Sequence, residues 1–156
     1  MGEIKTTAQI VPLREVTYEQ FKEFLDSLDE ERETWSLDLQ HYKNDKEFYE
    51  SIIYAVVCVY DGGVIGLCNA YSHINLPVIE VSFVVKKDYQ SRGIGTIMLM
   101  EIEAILSNIS HTHICAKHYK DNIASHKAFL KAGYKGASFV DGSNIKNMVW
   151  KLKDIK

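Results

Sequence analysis

One segment constrains this chain more than any other: Val84-Val-Lys-Lys-Asp-Tyr-Gln90-Ser-Arg92-Gly93-Ile-Gly95-Thr96. An apolar run ends in a short polar loop carrying two glycines, and the loop opens directly into residues 94–106, which are apolar almost all round. The pattern predicts a buried strand, a tight loop and a helix buried on most of its sides. Such a junction leaves the first amides of the helix unpaired at the positive end of its dipole, and glycine lets an anion come close to them. A phosphate cradle is expected, with a ligand-free tight turn as the plain alternative. Met98 stands where a dinucleotide fingerprint needs its third glycine, and no Gly-Lys-Ser/Thr is present for a P-loop.

Strand and helix patterns alternate around this unit. Residues 7–13 read as a strand, and Thr17 with Gln20 forms a capping-box pattern ahead of a helix over 18–28. Residues 46–53 place Phe48, Ile52 and Ile53 at helical spacing. Apolar runs at 54–60 and 64–71 flank Asp61-Gly62-Gly63, which predicts a hairpin turning on glycine. Residues 78–86 are apolar on both faces, as in a central strand, so the polar exceptions Glu80 and Ser82 stand out. A strand over 113–117, a helix over 123–132 and closing strands at Phe139 and 148–152 complete the order. With no repeat or linker, and only Pro12 and Pro77 as prolines, residues 1–156 are expected to form a single mixed α/β domain.

Gln90, Gly93 and Gly95 resemble the acetyl-coenzyme A signature of the GNAT acetyltransferases, Gln/Arg-x-x-Gly-x-Gly/Ala. Downstream, Asn122-Ile-Ala124-Ser125-His-Lys-Ala-Phe129-Leu-Lys-Ala-Gly133-Tyr134 is similar to that family's Asn-x-x-Ala/Ser stretch ending in Gly-Phe/Tyr. The resemblance implies the GNAT fold, α/β with a central mixed, largely antiparallel sheet flanked by helices. It implies acetyl-CoA as cosubstrate, its pyrophosphate on the amides of Ser91, Arg92, Gly93, Ile94, Gly95 and Thr96. It adds Val84, Val85, Gln90, Asn122, Ser125 and Phe129 as further cofactor contacts, with a bulge near Val84 that aims a backbone amide at the acetyl carbonyl. Asn122 is at the same time a good N-cap and Gly133 a good C-cap for the helix between them. Phe129 departs from the family, whose members often carry a Tyr there to protonate the departing thiolate, and a phenyl ring has no proton to give.

The implied reaction is N-acetylation of an amine belonging to a small molecule or peptide. A lysine-like amine of pKa about 10.4 lies roughly 4.6 kcal/mol from its neutral, reactive form at pH 7, so a base is needed. Glu80 is the candidate base, with Ser82 on the same strand face to hold a water. Tyr134, then Tyr119 and His126, are candidate proton donors to sulfur, although a thiolate of pKa near 8.5 also leaves unaided. Valine at Gly93 or Gly95 is expected to crowd the phosphates while leaving the fold largely intact. The alternative function is a catalytically silent acyl-CoA-binding sensor or interaction domain, and O-acetylation stays open.

Composition excludes other classes. The net charge of −3 lacks the clustered Lys and Arg that nucleic acid requires, and 46% hydrophobic with 25% charged residues is ordinary globular usage. No stretch approaches the ~20 apolar residues of a membrane span, and Met1-Gly2-Glu3-Ile4-Lys5 lacks a secretory pattern, so a cytoplasmic protein is expected. Cys58, Cys68 and Cys115 lie in apolar runs and read as core. His111, His113 and Cys115 alternate with His118 close behind, but ligands on one short strand make a poor tetrahedron, and no metal is expected. Asp26, Asp29, Glu30, Glu31, Glu33 and Asp38, against Arg32 alone, make an acidic span that could attract a cationic acceptor. The closing strands leave a homodimer open.

Overall fold

The computed structural model describes residues 7–28, 44–52, 54–72, 79–108, 113–119, 122–137 and 148–154. Seven strands form one sheet: β1 Gln9–Pro12, β2 Tyr54–Tyr60, β3 Gly63–Ser72, β4 Ile79–Val85, β5 His113–Tyr119, β6 Lys135–Ala137 and β7 Met148–Asp154. Their order is β1-β2-β3-β4-β5-β7-β6, antiparallel throughout except for the parallel pair β4 and β5. Helices α1 Tyr18–Asp26, α2 Asp45–Ser51, α3 Ile94–Leu106 and α4 Ile123–Lys131 complete the described elements. None of the described helices is long and apolar enough to cross a membrane.

Local signals in the sequence place most of these elements. Thr17 and Gln20 cap α1 reciprocally, each side chain meeting the other's backbone amide, at 3.1 and 2.9 Å. Asp61 and Gly62 both have left-handed backbones, with φ of 52° and 76°, so the β2–β3 hairpin turns as a type I′ turn. Asn122 caps α4 by accepting from the Ser125 amide at 3.1 Å.

Each sheet face carries its own core. Phe21, Phe24 and Leu25, on one stripe of α1, and Leu28 just beyond its end cover Val57, Val64 and Leu67, with Tyr49 of α2 packed alongside. On the other face Met98, Leu99, Ile102 and Leu106 of α3 and Phe129 of α4 cover Val56, Cys58, Cys68, Val81 and Ile114. The layers are therefore helix, sheet, helix. Alternation along β4 sends Ile79, Val81, Phe83 and Val85 toward α3 and leaves Glu80, Ser82 and Val84 facing the α1 side.

Three expectations need correcting. α3 is not buried on most sides: Ile97 and Met100 are half exposed or more, because only one stripe of the helix meets the sheet. The bulge expected near Val84 is absent, since β3 and β4 stay in register from Ser72↔Ile79 to Gly66↔Val85. The irregularity falls between β2 and β3 instead, where Ile65 is the extra residue and its carbonyl accepts from the Lys86 amide at 2.8 Å. Finally, α4 ends at Lys131 and is followed by the short edge strand β6, which the sequence reading missed, while Phe139 lies outside the described residues.

All three thiols are buried, and burial raises the pKa of each, that of Cys115 to about 12. They should stay unreactive to a thiol reagent in the native state and react together on unfolding. Between pH ~8.5 and about 12 the unfolded chain loses the Cys115 proton while the folded chain keeps it. Stability should therefore fall with rising pH in that window, by a steeper slope in wild type than in Cys115→Ala, as followed by urea unfolding.

Candidate active site

The site is built where the sheet comes apart. Among the described residues β4 and β5 are in register only at Ile79↔Ile114 and Glu80↔Cys115, after which the two strands have no partner in each other. Alternate backbone groups of β4 between Val81 and Val85 thus face a gap that β5 does not fill. A ligand able to hydrogen-bond like a strand fits that edge. Phe83 from β4 meets Phe129 from α4 at 5.2 Å between ring centroids, and Phe129 in turn stacks on His118 of β5 at 6.0 Å. These rings floor the gap on the α3 and α4 side.

At its mouth β4 runs through Lys86, a 3-10 turn over Lys87–Tyr89 and the glycine loop into α3. The side-chain amide of Gln90 donates to the Val85 carbonyl at 3.0 Å and braces the loop, and the Arg92 guanidinium lies 5.4 Å from the centre of the Tyr89 ring. Ser91 and Gly93 are both left-handed, with φ of 64° and 82°. Gly93 caps α3 without a side chain, and the first backbone bond of the helix is from Ile97 to the Gly93 carbonyl at 3.1 Å. The amides of Ile94, Gly95 and Thr96 come before that bond and have no partner within the helix. No acidic residue occupies its first turn, and a Cβ on Gly93 would meet nothing within 4 Å, so there is room for an anion.

The two glycines differ. A Cβ on Gly95 would meet the Phe83 ring at 2.5 Å, so this glycine lets α3 sit against β4. Valine there disturbs the packing before it reaches a phosphate, which corrects the expectation that both substitutions leave the fold intact.

On the α1 side the gap is bordered by polar groups. Glu80 is 1% exposed, accepts a hydrogen bond from the Tyr71 hydroxyl, and lies 3.8 Å from the Lys117 ammonium of β5. Ser82 and its register partner Asn69 are buried beside it. Tyr71, Asn69 and Lys117 went unnoticed in the sequence, although Asn69 interrupts an otherwise apolar β3. Ser125 lies in the first turn of α4, with its amide on the Asn122 cap. Tyr134 packs edge-on to Phe129 at 5.1 Å, but its hydroxyl is buried with no hydrogen-bond partner among the described residues. Burial, then Glu103, Cys68 and Cys115, raise its pKa. No cluster of metal-binding side chains occurs among the described residues. His113 pairs with Asp154. His111, the Tyr119 side chain and the acidic span after Asp26 lie outside the described residues.

Splayed parallel strands with a glycine-capped helix at their mouth give the sheet an open edge at its middle, with unpaired helix amides at one end of it. The chain belongs to the GNAT acetyltransferases: the model of the acetyltransferase (GNAT) family matches residues 14–134. Solved structures share the fold. A GNAT-family acetyltransferase from Streptococcus pneumoniae superposes with a TM-score of 0.75 at 16% identity, over 96% of this chain and 100% of that one. An N-acetyltransferase from Staphylococcus aureus Mu50 gives 0.74 at 17% identity, over 97% and 100%. A phosphinothricin acetyltransferase from Sinorhizobium meliloti, solved in complex with acetyl-CoA, gives 0.71 at 14% identity, over 95% and 88%. No curated protein sequence matches the chain.

Gly95→Ala should lower stability by about 1–3 kcal/mol through the clash with Phe83, and Phe83→Leu in the same chain should recover part of it. Gly93→Ala should cost about 1 kcal/mol from its left-handed backbone. Urea unfolding of the three variants checks both statements.

Proposed function

We propose that this protein transfers an acetyl group from acetyl-CoA to an amine. The observation that carries the reading is the gap between β4 and β5 with the uncapped α3 amides at its mouth. Acetyl-CoA, when bound, supplies an activated acetyl thioester. The amides of Ile94, Gly95 and Thr96, with Ser91, Arg92 and Gly93 shaping the loop, would hold its pyrophosphate. The β5-facing edge of β4 up to Val84 and Val85 would pair with the amide-bearing arm, with Phe129 packed beneath and Asn122 and Ser125 at the start of α4 nearby. Gln90 acts on the ligand indirectly, by fixing the loop to Val85.

Glu80 remains the base of the proposal, now with a route. Its carboxylate is too deeply buried to touch an acceptor, while the Tyr71 hydroxyl that donates to it is on a half-buried side chain. Tyr71 takes the amine proton on its oxygen as its own proton passes to Glu80, and Ser82 and Asn69 line the same face. An amine acceptor of small-molecule or peptide origin, cationic before it is deprotonated, suits the Glu80 and Tyr71 pair. A cytoplasmic setting agrees with the buried free thiols. One observation favours the second reading, a silent acyl-CoA-binding domain: Glu80 is held by Tyr71 and Lys117, and Phe129 has no proton to give.

Release of CoA thiol from acetyl-CoA across a panel of primary amines separates the two readings, because binding without release on every amine selects the silent domain. On an active amine, Glu80→Gln and Tyr71→Phe should each lower turnover at pH 7 by about 10²-fold. The deficit should shrink as pH approaches the amine pKa of ~10.4, since more amine then arrives neutral. Wild-type turnover in both variants across that range would move the base elsewhere.

A further inference from the structure

At the floor of the gap, one of the floor rings, His118, is paired with a buried lysine, and the acetyl-transfer steps proposed above use neither group. Lys151 of β7 is 2% exposed, and its Nζ lies 3.0 Å from Nε2 of His118, itself 3% exposed. A buried lysine costs several kcal/mol unless well paired, and the partner here is an imidazole rather than a carboxylate. A hydrogen bond between these two nitrogens needs one to donate and the other to accept, so they share a proton and do not both carry a full set. Burial lowers the Lys151 pKa, so its ammonium gives up a proton more readily than an exposed one.

The position of the pair ties it to the gap. His118 sits on the stretch of β5 that has left β4, with its ring stacked on Phe129 and edge-on to His126 of α4 at 5.6 Å. Phe129 continues the floor to Phe83 on the opposite bank, and neither phenyl ring can give a proton. On the same side of the sheet, the titratable groups nearest the pair include His126, Tyr134, and Lys153 paired with Glu103 of α3, while Cys58, Cys68, Tyr54, Tyr60 and Tyr89 belong to the core of that face.

We propose that His118 and Lys151 hold one mobile proton at the floor of the gap and deliver it to the coenzyme A sulfur as the acetyl group leaves, an inference that rests on the acetyl-transfer reading. The carbon–sulfur bond breaks, the sulfur keeps the bonding pair and takes the proton of His118, and the Lys151 proton moves up to His118. The proton removed from the amine on the opposite face returns to the pair through solvent. His118 is the donor; Lys151 acts through it and is a positioning residue.

The test uses CoA alone as the probe and needs no acceptor. The thiolate absorbance of the protein–CoA complex is titrated for wild type, Lys151→Met and His118→Gln, with CoA affinity and melting temperature measured alongside. A cationic pair beside the sulfur should hold the bound thiol about one unit below its ordinary ~8.5, and each variant should return it to that value. Should His118→Gln fail to fold, Lys151→Met decides, since it replaces a buried charge by an apolar chain of similar size. An identical titration in wild type and variant, with CoA bound in both, overturns the proposal. Failure of wild type to bind CoA at all would overturn the acetyl-transfer reading and this inference together.

Discussion

Among the described residues β4 pairs with β5 at two positions, the second being Glu80↔Cys115, and the remainder of the site depends on the pairing stopping there. Parallel strands joined by a crossover helix normally continue side by side, with their ends forming a rim that binds ligands. Here the rim is drawn down into the sheet. Phe83 is pinned under the start of α3 because Gly95 offers no side chain to push it away, and the Phe129 ring meets its edge from α4. With these aromatic rings beneath it, the divided sheet is closed below, and its exposed β4 edge offers backbone hydrogen bonds inside the molecule.

The same division gives the protein two chemically different sides. On the side of α3 and α4 lie the uncapped helix amides, the aromatic floor and the His118–Lys151 pair. On the side of α1 lie Glu80, Tyr71, Lys117, Ser82 and Asn69. Period-two alternation assigns Phe83 to one side and Glu80 and Ser82 to the other within a single strand. One strand therefore presents a polar face on the α1 side and an apolar face on the α3 side, with its free edge between them.

Features governed by neighbours in the chain were legible in the sequence. The Thr17–Gln20 box, the Asp61-Gly62 turn, both limits of α3 and the Asn122 cap each depend on a few consecutive residues, and they stand where expected. What the sequence hid depends on register and packing. Nothing local distinguishes Lys151, deeply buried, from the half-buried Lys153 two residues on, because the difference comes from where β7 lies between β5 and β6. Likewise, Tyr71 reaches Glu80 only because the β3–β4 register sets them opposite each other. Gly95 could be read as a phosphate contact, but its role under Phe83 could not, since that ring lies twelve residues earlier and reaches it through the fold.

A sheet joined across its centre by two residue pairs among the described residues has a seam. Four strands on one side are held by antiparallel registers, three on the other by β5–β7 and β6–β7, and α3 with Phe129 of α4 bridges the two. Such halves are natural units of partial opening, able to lose protection against hydrogen exchange separately. A ligand lying in the seam touches both halves and works as a keystone. The binding free energy of such a ligand, as RT ln(1 + [L]/Kd), would add at this junction and be felt most in the cooperativity between the two halves.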